Sequence, residues 1–323
     1  MVEEFTVIDI FSGAGGFSRG FKEEGFKILL GLDNYPPAAR TFRENFKESF
    51  FIEEDVKEIH SEDIINTIGC KPDVVIGGPP CEAFTRTNVR RERIPLNRLY
   101  KDPLGQLTLH FIRIVGDIKP KVFVMENVPG IIENGLALAL RREFKRVGYS
   151  EIFFNILKAE DYGVPSHRKR VFISNIRIKP PKVRKRITVI EAIGDLPPPG
   201  TGEIPNHEYV SISRKKLRKI AKLRWGEALI HYQGAEGKIY RNYIRLHPFK
   251  IAPTVMGSSR FVHPFENRLL TVREQARLMS FPDDHVFYGS KDAQFNQVGE
   301  AVPVKLSQAI AQEVKKYLLG KFK

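Results

Sequence analysis

The stretch Asp73-Val-Val-Ile-Gly-Gly-Pro-Pro-Cys81 joins a short apolar run to a stiff turn that ends in a cysteine. Residues 74–76 are β-branched and do not alternate with polar residues, which is typical of an interior strand of a parallel sheet. The two glycines allow close approach to the backbone, and the two prolines restrict the turn. The pattern predicts a thiol on a rigid loop at the carboxyl end of a strand, the edge at which open α/β sheets bind ligands.

Four further apolar runs adjoin chemically active residues. Residues 6–10 precede a glycine-rich turn, residues 28–32 end at Asp33, residues 121–125 end at Glu126, and residues 171–174 follow Arg168-Lys-Arg170. Amphipathic segments such as 17–24, 38–46 and 107–115 lie between them. Alternating strands and helices predict βαβ units in a doubly wound, mostly parallel, Rossmann-like α/β sheet. The glycines, carboxylates and cysteine are then expected along one edge.

The composition indicates a globular protein with a polyanionic partner. The chain has 323 residues and a formal net charge of +14, which favours nucleic acid. No apolar run is long enough to predict a membrane span, and Glu3 and Glu4 stand where a secretory leader would begin. Because Cys70 and Cys81 lack metal-ligand or disulfide-framework spacing, we expect no metal site and a cytoplasmic protein.

Two segments concentrate the positive charge. The first follows Cys81 directly and lacks apolar periodicity, so it predicts a mobile basic loop; its arginines are Arg86, Arg90, Arg91, Arg93 and Arg98. The second covers residues 182–224, and its candidate contacts, with those just beyond it, are Arg214, Arg218, Arg241 and Arg245. A solvated helix face over residues 214–222 is the alternative. Two basic segments around one cysteine favour a nucleic-acid cleft.

The turn Gly13-Ala-Gly-Gly16 lies between a predicted strand and a predicted helix. Such a turn suits a ligand that approaches the backbone closely, and Asp33 stands where a carboxylate binds ribose hydroxyls. A dinucleotide fingerprint requires a third glycine where this chain has Ser18, and no basic pair is present to hold a pyrophosphate. A nucleoside without phosphates, such as S-adenosylmethionine, fits this turn better than NAD.

An ordered series of motifs resembles the cytosine-5 DNA methyltransferase family over most of the chain, with residues 180–245 outside the match. The motifs are Asp9-Ile-Phe-Ser-Gly-Ala-Gly-Gly16, Gly78-Pro-Pro-Cys81, Glu126-Asn-Val128, Asp161-Tyr-Gly-Val-Pro165, Arg168-Lys-Arg170, Ala252-Pro-Thr254, Arg268-Leu-Leu-Thr-Val-Arg-Glu274, Ala276-Arg-Leu-Met-Ser-Phe-Pro-Asp283 and Gln297-Val-Gly-Glu-Ala-Val-Pro303. The resemblance implies methyl transfer from S-adenosylmethionine to carbon 5 of cytosine in a short duplex DNA sequence, with S-adenosylhomocysteine as product. It also implies a prokaryotic or archaeal modification enzyme whose restriction endonuclease acts separately, and we expect a monomer.

The same resemblance implies roles for matching residues. Cys81 resembles the nucleophile, Glu126 the acid that engages ring nitrogen 3, and Arg168, with Arg170 beside it, an arginine that contacts the base. The implied cofactor residues are Phe11, Ser12, Gly13, Gly15, Gly16, Asp33, Asp55, Val56, Gly78, Pro79, Leu107, Glu300, Ala301 and Val302.

These residue types suit the chemistry. A thiolate that attacks carbon 6 of cytosine makes carbon 5 enamine-like, and an acid at ring nitrogen 3 stabilises the charge that develops. Because the thiolate is the active form, we expect Arg168 and Arg170 to lower the pKa of Cys81. The target base must leave the helical stack, and phosphate contacts from the basic loop would help offset that cost.

Proline clusters at residues 180–181 and 197–199 predict a domain boundary. Residues 1–190, completed by 276–323, are expected to form the catalytic and cofactor-binding domain, with a last helix over 304–318 packed on the sheet. Residues 191–275 are expected to form a small target-recognition domain. Two residues depart from the family pattern, since Ser166 replaces a usual glutamine and Glu300 a usual asparagine.

Three alternatives stay open at this point. The string Pro79-Pro-Cys-Glu-Ala-Phe-Thr85 also fits the branch of the family that methylates transfer RNA. A second alternative is a nucleic-acid-binding homologue that has lost catalysis, and a third is a nucleotide-dependent oxidoreductase.

Overall fold

The computed structural model describes residues 4–320, and its largest element is a seven-stranded sheet with the strand order β3-β2-β1-β4-β5-β7-β6. The strands are β1 Thr6–Ile10, β2 Lys27–Leu32, β3 Phe50–Ile52, β4 Val74–Gly77, β5 Val122–Asn127, β6 Phe153–Lys158 and β7 Lys169–Ser174. The chain proceeds outward from β1 to β3 on one side and from β4 on the other. The switch point between β1 and β4 is where such sheets leave a crevice for ligands.

Strands β1 to β5 are parallel, whereas β7 runs antiparallel to both β5 and β6. The mostly parallel sheet predicted from sequence is therefore confirmed, with one reversed strand, β7, next to the edge strand β6. The reversal decides where the arginines lie. Because β7 begins at the edge where β5 ends, the residues that lead into β7 join the carboxyl ends of the parallel strands. Residue Glu126 pairs in register with Phe172, and Asn127 with Val171.

Helices cover both faces of this sheet. The helices of the chain are α1 Gly16–Glu23, α2 Pro36–Asn45, α3 Ser61–Ile68, α4 Pro95–Tyr100, α5 Pro103–Ile118, α6 Leu136–Arg146, α7 Val189–Ile193, α8 Arg214–Ile220, α9 Val272–Leu278, α10 Lys291–Glu300 and α11 Val304–Leu318. One apolar core joins the sheet to α3, α5 and α6, and another joins it to α1, α2 and α11. Helix α11 has the bounds predicted from sequence and returns the end of the chain to the sheet.

A second sheet of three strands lies between these parts of the chain. Its strands are β8 Ala228–Gln233, β9 Ile239–Arg245 and β10 Phe261–Val262, in the order β10-β9-β8. A third apolar core connects this region to α7, α9 and α10 and to Ala14 of the glycine-rich turn. Residues 276–300 thus pack with the second sheet, although Val286 and Tyr288 also bond to helix α2. The final helix packs on the first sheet. The division into domains at residues 190 and 275 stays a prediction.

The segment after Cys81 differs from the mobile loop expected from sequence. Residues 95–100 form helix α4, which buries Leu99 and Arg98. Helix α5 follows at once, and its Asp102 cap accepts hydrogen bonds from the backbone N–H groups of Leu104 and Gly105 at 2.9 and 3.1 Å. A side chain at Gly105 would collide with the carbonyl of Arg98, so the two helices pack in close contact. The basic segment is therefore anchored at its far end.

Candidate active site

A cleft of about 1550 Å³ opens at the switch point between β1 and β4. The glycine-rich turn after β1 lines one end of the cleft, and the loop after β4, which carries Cys81, lines the other. Residues 238–242 of the second sheet and residues 299–302 complete its walls. The cleft therefore brings together the strand ends that the sequence predicted to share one edge.

The glycine-rich turn is shaped by backbone geometry that side chains disfavour. Gly13 and Gly15 have φ values of +51° and +79°, in the left-handed region where glycine is favoured. A Cβ at Gly16 would lie 2.5 Å from the carbonyl oxygen of Val302, so α1 begins in close contact with the segment before α11. The backbone N–H of Gly13 donates to Asp33 at 2.8 Å, which fixes the turn against the end of β2.

Predicted cofactor residues occupy the corresponding end of the cleft. All of them line the cleft except Gly15, which packs against Phe46 behind the turn. The acids at this end are Asp9, Asp33, Glu54, Asp55 and Glu300, and the described part of the cleft has one arginine beside them, Arg168. Burial raises the pKa of Asp33, although backbone N–H groups of Tyr35 and Gly13 oppose the shift.

Cys81 lies in a partly enclosed position at the other end of the cleft. Asn127, at the end of β5, donates its side-chain amide to the carbonyl of Pro79 at 3.0 Å and so fixes the loop to the sheet. Burial raises the pKa of the thiol to about 11, and the nearby Arg170 opposes this shift only in part. Arg170 and Arg168 both act to lower this pKa, as predicted, but the effect of burial is larger and the net shift is upward.

Arg170 and Glu126 form an ion pair next to the thiol. The Nε of Arg170 lies 2.8 Å from Oε1 of Glu126, and both side chains are largely buried. The pair joins the end of β5 to the start of β7, as their antiparallel register requires. A carboxyl group and a guanidinium thus face the cleft together beside Cys81.

Arg168 has a different environment from the one its predicted contact with a base requires. Its guanidinium is buried and donates to the carbonyls of Val255 and Gly299 at 2.9 Å and to that of Glu300 at 3.3 Å. Burial lowers its pKa to about 9. In this conformation Arg168 ties the start of β7 to the segment at Val255 and to the end of α10, and Arg170 is the arginine whose charged group meets the acid of the site.

Ser166, the first departure from the family pattern, is also a packing residue. It is fully buried, and its hydroxyl donates to the carbonyl of Leu278 at 2.7 Å. The backbone of Ser166 pairs with Ala252. The position therefore connects the start of β7 to helix α9, and the short side chain suits that contact.

The arginines predicted to bind nucleic acid fall into four groups. Arg86 and Arg241 line the cleft, whereas Arg90, Arg93, Arg214 and Arg218 are exposed outside its lining. Arg91 pairs with Glu236 and donates to the carbonyl of Phe84. Arg98 and Arg245 are buried, and backbone carbonyls accept from both guanidinium groups. As placed here, these last two side chains support the fold and are not free to contact a phosphate, which corrects their prediction.

Two further residues shape the cofactor end of the cleft. Asp9, at the end of β1, is buried and accepts a 2.7 Å hydrogen bond from the hydroxyl of Ser18, while its other oxygen has no partner. Burial raises the pKa of Asp9 to about 7. His285 is also buried, and its Nε2 lies 2.9 Å from the carbonyl oxygen of Ala14 in the glycine-rich turn. The quoted motif includes Asp9, but no local pattern distinguishes His285 from the other histidines.

Two kinds of feature are absent from the residues that the structure describes. No helix within residues 4–320 has both the length and the apolar composition that a membrane crossing needs. Over the same residues, no cluster of three or more His, Cys, Asp or Glu side chains could hold a metal ion.

Comparisons with known proteins identify the class to which this fold and cleft belong. The family model for C-5 cytosine-specific DNA methylase matches residues 5–316. Two chains of Methanocaldococcus jannaschii that bear type II methyltransferase names are 49% and 45% identical, over 97% and 98% of this chain and the whole of each relative. Type II methyltransferase M1.HphI of Haemophilus parahaemolyticus is 40% identical over 96% of this chain and 87% of its own length.

The solved structures agree with the sequence comparisons. A protein encoded within an E. coli prophage and described as a DNA modification methyltransferase has a TM-score of 0.80 and 27% identity, with coverage of 98% of this chain and 100% of that one. The chain belongs to the C-5 cytosine-specific DNA methylase family. It is a methyltransferase that modifies carbon 5 of cytosine in DNA, and the transfer RNA alternative is not favoured.

Proposed function

We propose that Cys81 forms a covalent bond to carbon 6 of a flipped-out cytosine while Glu126 and Arg170 hold the ring. The observation that carries this proposal is the Glu126–Arg170 ion pair beside the Cys81 thiol, in the cleft that also contains the glycine-rich turn. A catalytic cysteine requires exposure to its substrate and nearby cations, and both are present here.

The proposed reaction consists of an addition to carbon 6, a methyl transfer to carbon 5 and an elimination. The thiol of Cys81 gives its proton to solvent and its sulfur attacks carbon 6, so that the ring electrons move toward nitrogen 3 and carbon 5. Glu126 shares a proton with nitrogen 3, and Arg170 keeps the Glu126 carboxyl oriented. Carbon 5 receives the methyl group and then gives its proton to solvent. The electron pair of that carbon–hydrogen bond re-forms the ring double bond and expels the Cys81 sulfur as a thiolate, while the shared proton returns to Glu126.

S-Adenosylmethionine is the proposed methyl donor, and the residues present fit it. When bound, it supplies an electrophilic methyl group on a positively charged sulfur. The cofactor end of the cleft presents a glycine-rich turn and several carboxylates, with Asp33 placed for ribose hydroxyls. This charge suits a cationic nucleoside and disfavours the pyrophosphate of a dinucleotide, so the oxidoreductase alternative loses support.

Duplex DNA is the proposed substrate form, bound with its target base in the cleft between the two sheets. Cytosine within a stacked duplex cannot reach Cys81, so the base must be extruded at a cost of a few kcal/mol. Arg86, which follows the Cys81 loop, and Arg241, in the second sheet, both line the cleft. They are the proposed phosphate contacts. We further propose that residues 191–275 recognise a short sequence, that the enzyme acts as a monomer, and that a cognate restriction endonuclease acts separately.

A methyl-transfer assay with a matched pair of cysteine variants tests the central step. Tritiated S-adenosylmethionine is incubated with unmethylated duplex DNA and wild type, Cys81→Ser or Cys70→Ser. We expect label on carbon 5 of cytosine with wild type and Cys70→Ser, and none with Cys81→Ser, because Cys70 is an exposed residue outside the cleft. DNA containing 5-fluorocytosine should trap a covalent complex with the same two proteins. Activity that survives in Cys81→Ser would overturn the assignment, and bisulfite sequencing of the product would give the recognition sequence.

A further inference from the structure

Glu300 places a carboxylate in the cofactor end of the cleft where the family pattern has a neutral asparagine. The residue ends helix α10 and lines the cleft, and its side chain keeps contact with solvent there. Its carboxylate lies near the backbone of Gly257, since a Cβ built there would be 3.2 Å from the Glu300 Oε1 atom. Among residues 4–320, no cationic side chain forms an ion pair with this carboxylate.

Two other acids of the cleft have bonding partners, whereas the Glu300 carboxylate has none among the described residues. Glu126 is paired with Arg170, and Asp33 accepts backbone N–H groups from Gly13 and Tyr35 at 2.8 and 2.9 Å. Glu300 has no comparable partner, although it is close to a guanidinium. Arg168 gives its hydrogen bonds to backbone carbonyls, including that of Glu300 itself, so the side-chain charge of Glu300 remains available to a ligand.

Charged groups from both ends of the cleft act on Glu300, and these are Glu82, Asp33 and Arg168. Glu82 follows Cys81 directly, whereas Asp33 belongs to the end of the cleft that contains the glycine-rich turn. Methyl transfer requires the donor sulfur to lie between that turn and the base attached to Cys81. Because Glu300 lines the same cleft, its carboxylate is within electrostatic range of that sulfur.

We propose that Glu300 is a specificity-determining residue that favours S-adenosylmethionine over S-adenosylhomocysteine by interacting with the positive charge on the donor sulfur. The inference rests on the proposed function and deepens it. Both molecules carry the same adenosine, amino and carboxyl groups, and they differ at the sulfur, which is cationic in the donor and neutral in the product. A nearby carboxylate therefore attracts the donor more strongly than the product. Loss of this attraction after transfer would promote release of the product.

The proposal predicts a pH dependence with a defined sign. Burial, together with the charges of Glu82 and Asp33, raises the pKa of Glu300 to about 7. The carboxyl is therefore mostly neutral at pH 6 and mostly charged at pH 8, and discrimination in favour of the donor should increase over this interval. Asp33 also has a raised pKa and would act in the same direction, so the contribution of Glu300 is the difference between the wild type and a variant.

Binding of both ligands to the full chain without DNA tests the proposal independently of catalysis. Isothermal titration would give Kd values for S-adenosylmethionine and S-adenosylhomocysteine at pH 6 and pH 8, for wild type, Glu300→Gln and Glu300→Asn. Glu53→Gln is the matched control, because Glu53 lies outside the cleft lining and pairs with Arg43. We expect the ratio of product Kd to donor Kd at pH 8 to fall about tenfold in both Glu300 variants and to remain as in wild type in Glu53→Gln.

The outcomes separate this inference from the proposed function. A ratio that is unchanged in both Glu300 variants would overturn the role of Glu300 while leaving the methyl-transfer assay unaffected. A wild type that binds neither ligand would overturn the cofactor assignment together with this inference. Sinefungin, whose ammonium group replaces the sulfonium, should lose affinity in parallel with the donor if charge is what Glu300 recognises. Retained sinefungin affinity in the Glu300 variants would contradict that basis.

Discussion

Arg168 and Arg170 have different partners although only one residue separates them. Strand alternation alone would place side chains two residues apart on the same face, but Arg168 precedes β7 and Arg170 lies within it. Arg170 reaches Glu126, whereas Arg168 is enclosed by backbone carbonyls. The motif Arg168-Lys-Arg170 shows that both are charged but does not show which carbonyls surround them. The sequence therefore could not distinguish an arginine that faces the substrate from one that positions the chain.

Substituting each arginine separately should give opposite phenotypes. Arg170→Ala removes the partner of Glu126 beside the thiol, and we expect single-turnover methyl transfer to fall about 10²–10³-fold with little change in urea unfolding. Arg168→Ala leaves the carbonyls of Val255, Gly299 and Glu300 without their donor, and we expect a loss of about 3 kcal/mol in the free energy of unfolding. An Arg168→Ala variant that is stable but inactive would instead support the predicted contact between Arg168 and the base.

Cys81 should be poorly reactive at neutral pH in the absence of DNA. Because its pKa is about 11, only about 10⁻⁴ of the thiol is ionised at pH 7. In a Cys70→Ser background, the rate of alkylation by iodoacetamide should rise about tenfold for each pH unit between 7 and 9, and Arg170→Ala should lower that rate because the opposing cation is lost. A rate that reaches a plateau below pH 9 would contradict the shift.

At the scale of elements, the sequence did not predict the direction in which each strand runs. The apolar runs and the turns after them predicted the strand positions well, and helix α11 has the predicted bounds. The run at residues 171–174 looked like the others, yet β7 is antiparallel. Its apolar residues are buried on both faces in either direction, so the pattern carries no information about direction. The shared edge was still predicted, because the reversed strand contributes its start instead of its end.

The tip of the β8–β9 hairpin contacts the segment that follows Cys81, which joins the second sheet to the active-site loop. Ala235 donates its backbone N–H to the carbonyl of Arg86 at 2.9 Å, and Glu236 forms ion pairs with Arg86 and Arg91. These pairings are between residues distant in sequence, so no local pattern could indicate them. This contact connects the hairpin to the loop that carries the thiol.

Removal of the Glu236 charge should loosen that connection without unfolding the protein. Exposed ion pairs contribute about 0.2–1 kcal/mol, so in Glu236→Gln we expect amide hydrogen exchange over residues 86–94 to rise about two- to fivefold. Glu227→Gln, at the other end of the hairpin, is the control and should leave exchange in this segment unchanged. Equal exchange in wild type and Glu236→Gln would show that the backbone contact alone holds the loop.

At the scale of the molecule, charge is separated within a single cleft. Acids predominate at the cofactor end, whereas Arg86, Lys169, Arg170, Lys238 and Arg241 line the rest of the cleft. The net charge of +14 predicted a polyanionic partner, but it gave no information about this separation, which arises only when distant segments meet. Buried Arg98 and Arg245 are part of the same net charge and yet face no partner.

DNA affinity should therefore depend on the positions of the arginines and not on their number. Arg241 is exposed and lines the cleft, whereas Arg184 is exposed outside the cleft lining. Each phosphate contact contributes about −0.9 to the slope of log Kobs against log salt concentration. Fluorescence anisotropy of a labelled duplex should show a slope less steep by about 1 in Arg241→Ala and an unchanged slope in Arg184→Ala. If both substitutions reduced the slope equally, DNA would be attracted by the overall charge of the protein, and the cleft would not be the principal contact surface.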